Sequence, residues 1–451
     1  MSSVRDFGAK GDGQTDDTDA FQHAIEKGDG EISIPRGDYR LSRTLIAPLD
    51  KFGRLAIHGV GGTARLLMAG SGPALHLIGT HKKTAHPPDF AEAVWQKERM
   101  PMISDVEIVG ANDSADGIRL EGTMQATLRG LLIRRCRHGI HLVSRNRNLI
   151  IADCHIYDNR GVGVFLERVN LHQINIHGNH ISYCQRGGIV VAESEVRNIQ
   201  ICSNDIEYNY DLKADQSADI WFDARKGTVR EGTIVGNTIQ AKTSPGGANI
   251  RFTGAGRENP NAVGMISIGN NLIGSQETNL HLQACRGIVV AGNSVYNGTK
   301  FALLAEDCEH LVYSGNSHDN NSDYKGESTD ALLFNNCRNV NIAGVIVQHT
   351  HPATMSVEAT MDFHGCRNLN ITGCQIQAAR TRGIRLSDCH VARITDCTIR
   401  SRDGDGTYVE PIAIDAGSEQ IMILNNFLAK GSAGQSLPER KSTAIGGNVW
   451  T

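Results

Sequence analysis

From residue 150 onward one pattern returns: an apolar strand, then Asn or Cys, then any residue and another apolar one. The position is filled by Cys154, Asn179, Asn204, Asn237, Asn271, Asn293, Asn316, Gly344, Cys374, Cys397 and Asn426, at intervals of 22 to 34 residues. Within each repeat the apolar residues alternate over short stretches, as in Asn175-Ile176-His177 and Ile199-Gln200-Ile201. A helical repeat would need long segments of 3.6-residue period. The spacing therefore predicts an all-β solenoid, a single-stranded right-handed parallel β-helix of about a dozen coils. Asn suits a recurrent turn because it tolerates left-handed backbone and its amide can bond to the same turn one coil away.

A second register runs in phase with the first: Gly117-Ile118-Arg119-Leu120, Gly139-Ile140-His141-Leu142, Gly163-Val164-Phe165-Leu166, Gly188-Ile189-Val190-Val191, Asp219-Ile220-Trp221-Phe222, Asn249-Ile250-Arg251-Phe252, Asn279-Leu280-His281-Leu282 and Gly383-Ile384-Arg385-Leu386. Period-two alternation turns the flanking apolar residues inward and the central one outward. Each coil thus adds a side chain to an outward sheet, about 4.8 Å from the next. Composition agrees: 49 glycines and only 11 prolines suit many strands joined by tight turns, and 40% hydrophobic content supplies a continuous core.

The whole chain, 1–451, is expected to form one domain. Thr15-Asp16-Asp17-Thr18, followed by Phe21, Ala24 and Ile25 on one face, predicts a capped helix that closes the N-terminal end within residues 1–30. Residues 81–100 read as an insertion with a short helix, and 430–451 as an irregular tail.

A net charge of −4 argues against a nucleic-acid partner, which would need concentrated Lys and Arg. No run of about eighteen apolar residues predicts a membrane span. The N-terminus has no charged-then-apolar leader, so the expectation is a cytoplasmic protein, or a secreted or periplasmic one if a leader has been removed. Eleven cysteines, without a CxxC pair, are expected as buried thiols and not as a disulfide framework or zinc site.

The string Val4-Arg5-Asp6-Phe7-Gly8-Ala9-Lys10-Gly11-Asp12-Gly13-Gln14-Thr15-Asp16-Asp17-Thr18, continuing to Ala20-Phe21-Gln22 and Ala24-Ile25, resembles the opening of pectate-lyase-3-type β-helices. That opening is shared with polygalacturonase-like hydrolases, certain glucanases and tailspike depolymerases. The resemblance implies a pectin-lyase-like fold and a poly- or oligosaccharide substrate. It lies in the cap and carries no catalytic residue. The consecutive-coil motifs of polygalacturonases are absent as a set; Phe363-His364-Gly365 and Gly383-Ile384-Arg385 are fragments.

Two long excursions, 208–218 and 253–263, border one stretch of the outward sheet, and loops there would wall a sugar site. The candidate acid, base or nucleophile residues are Asp223, Glu167 and Glu193. Trp221 is the candidate sugar platform, and Arg225, Lys226, Arg251, His281 and His141 are candidate substrate binders. Their mixed cations suggest an anionic substrate. Three functions fit this wall: a glycoside hydrolase, preferred; a polysaccharide lyase or uronan epimerase; and a non-catalytic glycan-binding or tailspike-like shaft, possibly trimeric. A shaft predicts outward apolar stripes, of which Val190, Leu303 and Leu333 are a hint. No cofactor or metal is expected, although a lyase could use calcium and Asp403-Gly404-Asp405-Gly406 has the composition of a calcium loop.

Overall fold

In the computed structural model every residue is described except 260, 325–328, 349–357, 402–406, 436 and 438–441; the Asp403–Gly406 loop lies outside the described residues. The chain is a right-handed parallel β-helix, strand after strand pairing in parallel with its counterpart one coil away. Contacts group it into two compact units, 1–211 with 218–233, and 212–217 with 234–451.

One coil of the first unit shows the plan. Strands Gly187–Ala192, Glu195–Cys202 and Asp205–Glu207 are joined by turns of two residues. Each turn begins with a left-handed residue, Glu193 (φ 51°) and Ser203 (φ 56°), which sharply redirects the chain. The inward residues stack in files: Ile118, Ile140, Val164, Ile189 and Ile220 on one strand, and Ile156, Ile181 and Ile206 on another, all fully buried. In the second unit the file runs Leu280, Leu303, Leu332, Met361, Ile384 and Ile412, with Phe334 stacked on Phe363 beside it. A closed bore of matched aliphatic side chains is what the alternating pattern encodes.

The Asn ladder is present, but its geometry differs from the expected one. The left-handed residue is the one before each Asn: Gly178, Ser203, Gly236, Asn270, Gly292 and Gly315 have positive φ. The Asn itself turns inward and is buried. Asn293 Oδ1 accepts from the Asn271 backbone N–H at 3.0 Å, while its Nδ2 donates to the carbonyl of Ile268 and to Asn316 Oδ1. The amide therefore satisfies buried backbone groups that the turn would orphan. Register also places buried Val345, and not Gly344, opposite Asn316 and Cys374; Gly344 is the left-handed residue ahead of it.

Two other expectations change. Leu303 points into the bore and Leu304 takes the outward place, because Leu303 pairs with Leu280 and Leu304 with His281. Within the tail, Thr443–Gly446 and Val449–Trp450 form a further rung, and Asn448 extends the ladder to Asn426.

In the first unit the helix Thr18–Lys27 buries Phe21, Ala24 and Ile25 as expected. Asp17 does not cap it with its side chain: that carboxylate accepts from the Lys10 and Gly11 N–H groups, and Asp16 takes the Thr18 N–H. The insertion carries two short turns of helix, Pro87–Asp89 and Val94–Glu98, with Phe90 stacked on Trp95 at 4.3 Å.

Candidate active site

On the first unit two outward rows run side by side across three rungs. Phe165, Val190 and Trp221 are in register in one row, and Glu167, Ala192 and Asp223 in the other. The pattern follows from strand pleating, since residues i and i+2 share a face. The acids thus lie two rungs apart, roughly 10 Å at about 4.8 Å per rung. Between them stands only the methyl group of Ala192, so the row has a notch at its centre.

Each acid has a different neighbour. Glu167 Oε2 lies 3.1 Å from His141 Nε2. His141 is itself buried and stacks on Phe165 at 5.3 Å, with His138 packed against both rings. Burial holds the His141 imidazole below its ordinary pKa, the Glu167 carboxylate notwithstanding, and burial pushes His138 down to about 4. His138 Nδ1 accepts the Val162 N–H, which requires the neutral ring with its proton on Nε2. Behind it Asp116, almost wholly buried, holds Arg137 through two hydrogen bonds of 2.9 and 2.6 Å.

Asp223 is gripped by Arg225, Nε to Oδ1 at 2.8 Å and a terminal nitrogen to Oδ2 at 2.5 Å. Glu193 is a turn residue outside both rows. Hydrogen bonds from Arg168 Nε (3.0 Å) and Lys226 Nζ (3.3 Å) hold its carboxyl below the usual carboxylate range. Asp223, Glu167, Glu193, Trp221, Arg225, Lys226 and His141 are therefore all on one face of the first unit, and three of the candidate binders are already bonded to the three candidate acids.

Arg251 and His281 belong to the second unit. Arg251 is buried, bonds the Gly246 carbonyl, and lies 2.7 Å from His281 Nδ1; His281 Nε2 lies 2.9 Å from Glu306. Since a guanidinium only donates, His281 Nδ1 accepts and Nε2–H is turned to Glu306. Burial lowers the Arg251 pKa to about 10, and the His281 bond holds Glu306 below the usual carboxylate range. Glu306 was hidden in the sequence by strand parity: an outward Leu303 would turn Glu306 inward, whereas the pairing of Leu304 with His281 brings Glu306 outward, opposite Gln283. Among the described residues no three His, Cys, Asp or Glu side chains converge as metal ligands. No helix there is long and apolar enough to cross a membrane.

Cap and coils together define a pectate-lyase-like right-handed parallel β-helix. Residues 1–53 match the family model "Rhamnogalacturonase A/epimerase, pectate lyase-like", and residues 94–239 match "Right handed beta helix region". Over 44 residues the chain is 57% identical to alginate lyase 7 of Azotobacter vinelandii, a likeness spanning 9% of this chain and 5% of that protein. Among solved structures it is similar to the Dettilon tailspike protein gp208, with a TM-score of 0.53 and 15% identity over 92% of this chain and 70% of that one. An A. vinelandii mannuronan C-5 epimerase A-module aligns over 100% of this chain and 97% of its own, at a TM-score of 0.42 and 14% identity. The fold is a carbohydrate-associated one: the family that residues 1–53 match is described as rhamnogalacturonase A/epimerase, pectate lyase-like, and the 44-residue relative is an alginate lyase.

Proposed function

We propose that this chain is a carbohydrate-active enzyme that cleaves glycosidic bonds of an acidic poly- or oligosaccharide on the outward face of its first unit. The observation that carries this is the pair of parallel rows, aromatic–small–aromatic beside acid–small–acid. Aromatic faces stack on sugar rings. Two carboxyl groups about 6.5 to 9.5 Å apart, with room for water between, are the arrangement of inverting hydrolysis. Two rungs with Ala192 at the centre approach that spacing. Asp223, facing Arg225, serves as the base, and Glu167, facing the neutral His141 ring, as the acid. Arg168, Arg225 and Lys226 line the rim with positive charge, which favours an anionic chain.

The test is turnover on a panel of acidic oligosaccharides, with the anomeric configuration of the first product read by NMR. Glu167→Gln and Asp223→Asn should each lower turnover by about 10²–10⁴-fold, the usual contribution of general acid–base groups, with melting unchanged. Full activity in either variant sinks the assignment.

A second reading is elimination or C5 epimerisation, favoured by the neutral imidazole of His141 beside the acid row, which would serve as the base. The 44-residue likeness to alginate lyase 7 is compatible with it. A product absorbing in the ultraviolet through a new double bond would select elimination over hydrolysis.

A further inference from the structure

On four successive rungs of the second unit the same position is held in the left-handed region: Asn339 (φ 55°), Asn368 (φ 56°), Val391 (φ 59°) and Gln420 (φ 59°). The residues on either side pair from rung to rung, Arg367 with His390 and Glu419, and Leu369 with Ala392 and Ile421, which puts the four in one file. Each strand therefore bends at the same point, and the bends add up to a trough. Val391 is the costly member: a β-branched side chain disfavours this backbone, and here it is left 47% exposed.

In the trough lies a depression of about 340 Å³, within the range of small-ligand sites. Buried Leu369 and Ala392 are its floor, and Val391 and Met422 its apolar wall. Its polar atoms come from Asn368, Asn370, Arg393 and Gln420, and no carboxylate lines it. The charged residues Arg367, His390 and Glu419 hold the position before the bend, outside the lining.

Arg257, Arg286, Arg382 and Arg385 of the same unit each meet an acid. Arg393 is exposed and has no ion pair or hydrogen bond among the described residues. Asn368 and Asn370 each donate one Nδ2–H to the Asn one rung back, Asn339 Oδ1 at 2.8 Å and Asn341 Oδ1 at 2.6 Å, which leaves each with its own Oδ1 and a second N–H to offer. A lone guanidinium suits one carboxylate, amides that both donate and accept suit hydroxyls, and the apolar wall suits a C–H face. A bare inorganic anion would leave the amides and the wall unused.

We propose that this depression is a holding subsite for a hexuronate unit of an acidic glycan, with Arg393 on the carboxylate, Asn368, Asn370 and Gln420 on the hydroxyls, and Val391 and Met422 against the ring. Its ligand is of the class proposed above as substrate, yet it is assigned on its own residues and stands whether or not the acid rows of the first unit are catalytic.

The test follows the Met422 methyl signal by NMR in the full chain carrying methyl-labelled methionine, the signal being assigned by its loss in Met422→Leu. Trigalacturonate and trimannuronate at moderate salt are the probes, with their methyl esters and inorganic sulfate beside them. At least one of the two trimers should move the signal saturably, and the esters and sulfate should not. Arg393→Gln, with melting preserved, should weaken that binding by about 10-fold or more, the size of a charge-assisted contact, and Arg393→Lys should retain more of it. Asp223→Asn should leave it unchanged, which separates this site from the acid rows. No movement with either trimer, equal movement with an ester or with sulfate, undiminished affinity in Arg393→Gln, or loss of binding in Asp223→Asn would each overturn the proposal.

Discussion

His141 Nε2 and Glu167 Oε2 meet at 3.1 Å with the imidazole buried beneath Phe165, so the acid row is fastened to the aromatic row by one hydrogen bond. A neutral imidazole donates Nε2–H to Glu167 Oε2 and fixes the direction of the carboxyl group, leaving Oε1 to carry the proton that a general acid delivers. His141→Ala should therefore free Glu167 to adopt other rotamers and lower turnover, whereas His141→Gln, which can still donate, should retain more of it. Equal losses in both variants would show that the ring matters through packing and not through its N–H.

The same burial makes the fold sensitive to acid. His138 and His141 have folded pKa values below the ordinary 6.5, His138 at about 4. Between those limits the unfolded chain binds more protons than the folded one, so stability is intact above about pH 6.5 and declines as pH falls toward 4. Melting temperature measured across that window should drop, and His138→Gln should flatten the slope; an unchanged slope would place the titration elsewhere.

Trp221 sits two rungs from Phe165 with Val190 between. An aromatic stacking contact is worth about 0.5–1.5 kcal/mol, so Trp221→Ala should weaken oligosaccharide binding by roughly 2- to 12-fold. With the acids untouched, the loss should appear in KM more than in kcat. A fall confined to kcat would contradict a platform role.

The coils were legible because burial on a closed bore enforces alternation: Ile189 and Val191 had to flank a Val190 turned away from the bore, and they do, although Val190 is itself covered on its own side of the strand. The face carrying Glu167 and Asp223 followed from the same parity. Two things did not. Which neighbour neutralises each acid depends on rotamers and turn geometry, as when Arg225 folds back on Asp223 two residues away. The Asp362–Arg385 cluster assembles from residues 23 apart, and in the sequence its parts looked like separate motif fragments. Gly344 was misplaced by one because Gly and Asn both satisfy a left-handed turn, and only coil-to-coil pairing decides which residue turns inward.

Thiol reactivity gives an independent reading of the coils. All eleven cysteines are free and all but Cys202 are buried. In the second unit Cys285, Cys308, Cys337, Cys366 and Cys389 each place Sγ within hydrogen-bond reach of the carbonyl two residues earlier. A thiol reagent should therefore label Cys202 first in the native protein, slowly because burial raises even its pKa. Cys202→Ser should abolish that first phase, and denaturation should release the rest together. Early labelling of any of the five stacked thiols would show that the bore opens locally.

The ladder predicts the largest single stability loss. Asn293 is buried and serves the Asn271 backbone N–H, the Ile268 carbonyl and Asn316 Oδ1 at once. Asn293→Ala leaves a buried N–H and a buried carbonyl without their partner, at about 1–3 kcal/mol each, so a loss of about 2–6 kcal/mol is expected. Asn293→Asp keeps the acceptor but loses both Nδ2 donations and brings a carboxylate against the Ile268 carbonyl, so it should not rescue. Denaturant unfolding of the three proteins measures this. If Asn293→Asp recovered wild-type stability, the donations to Ile268 and Asn316 would carry none of the ladder's energy and the N–H acceptance would carry it all.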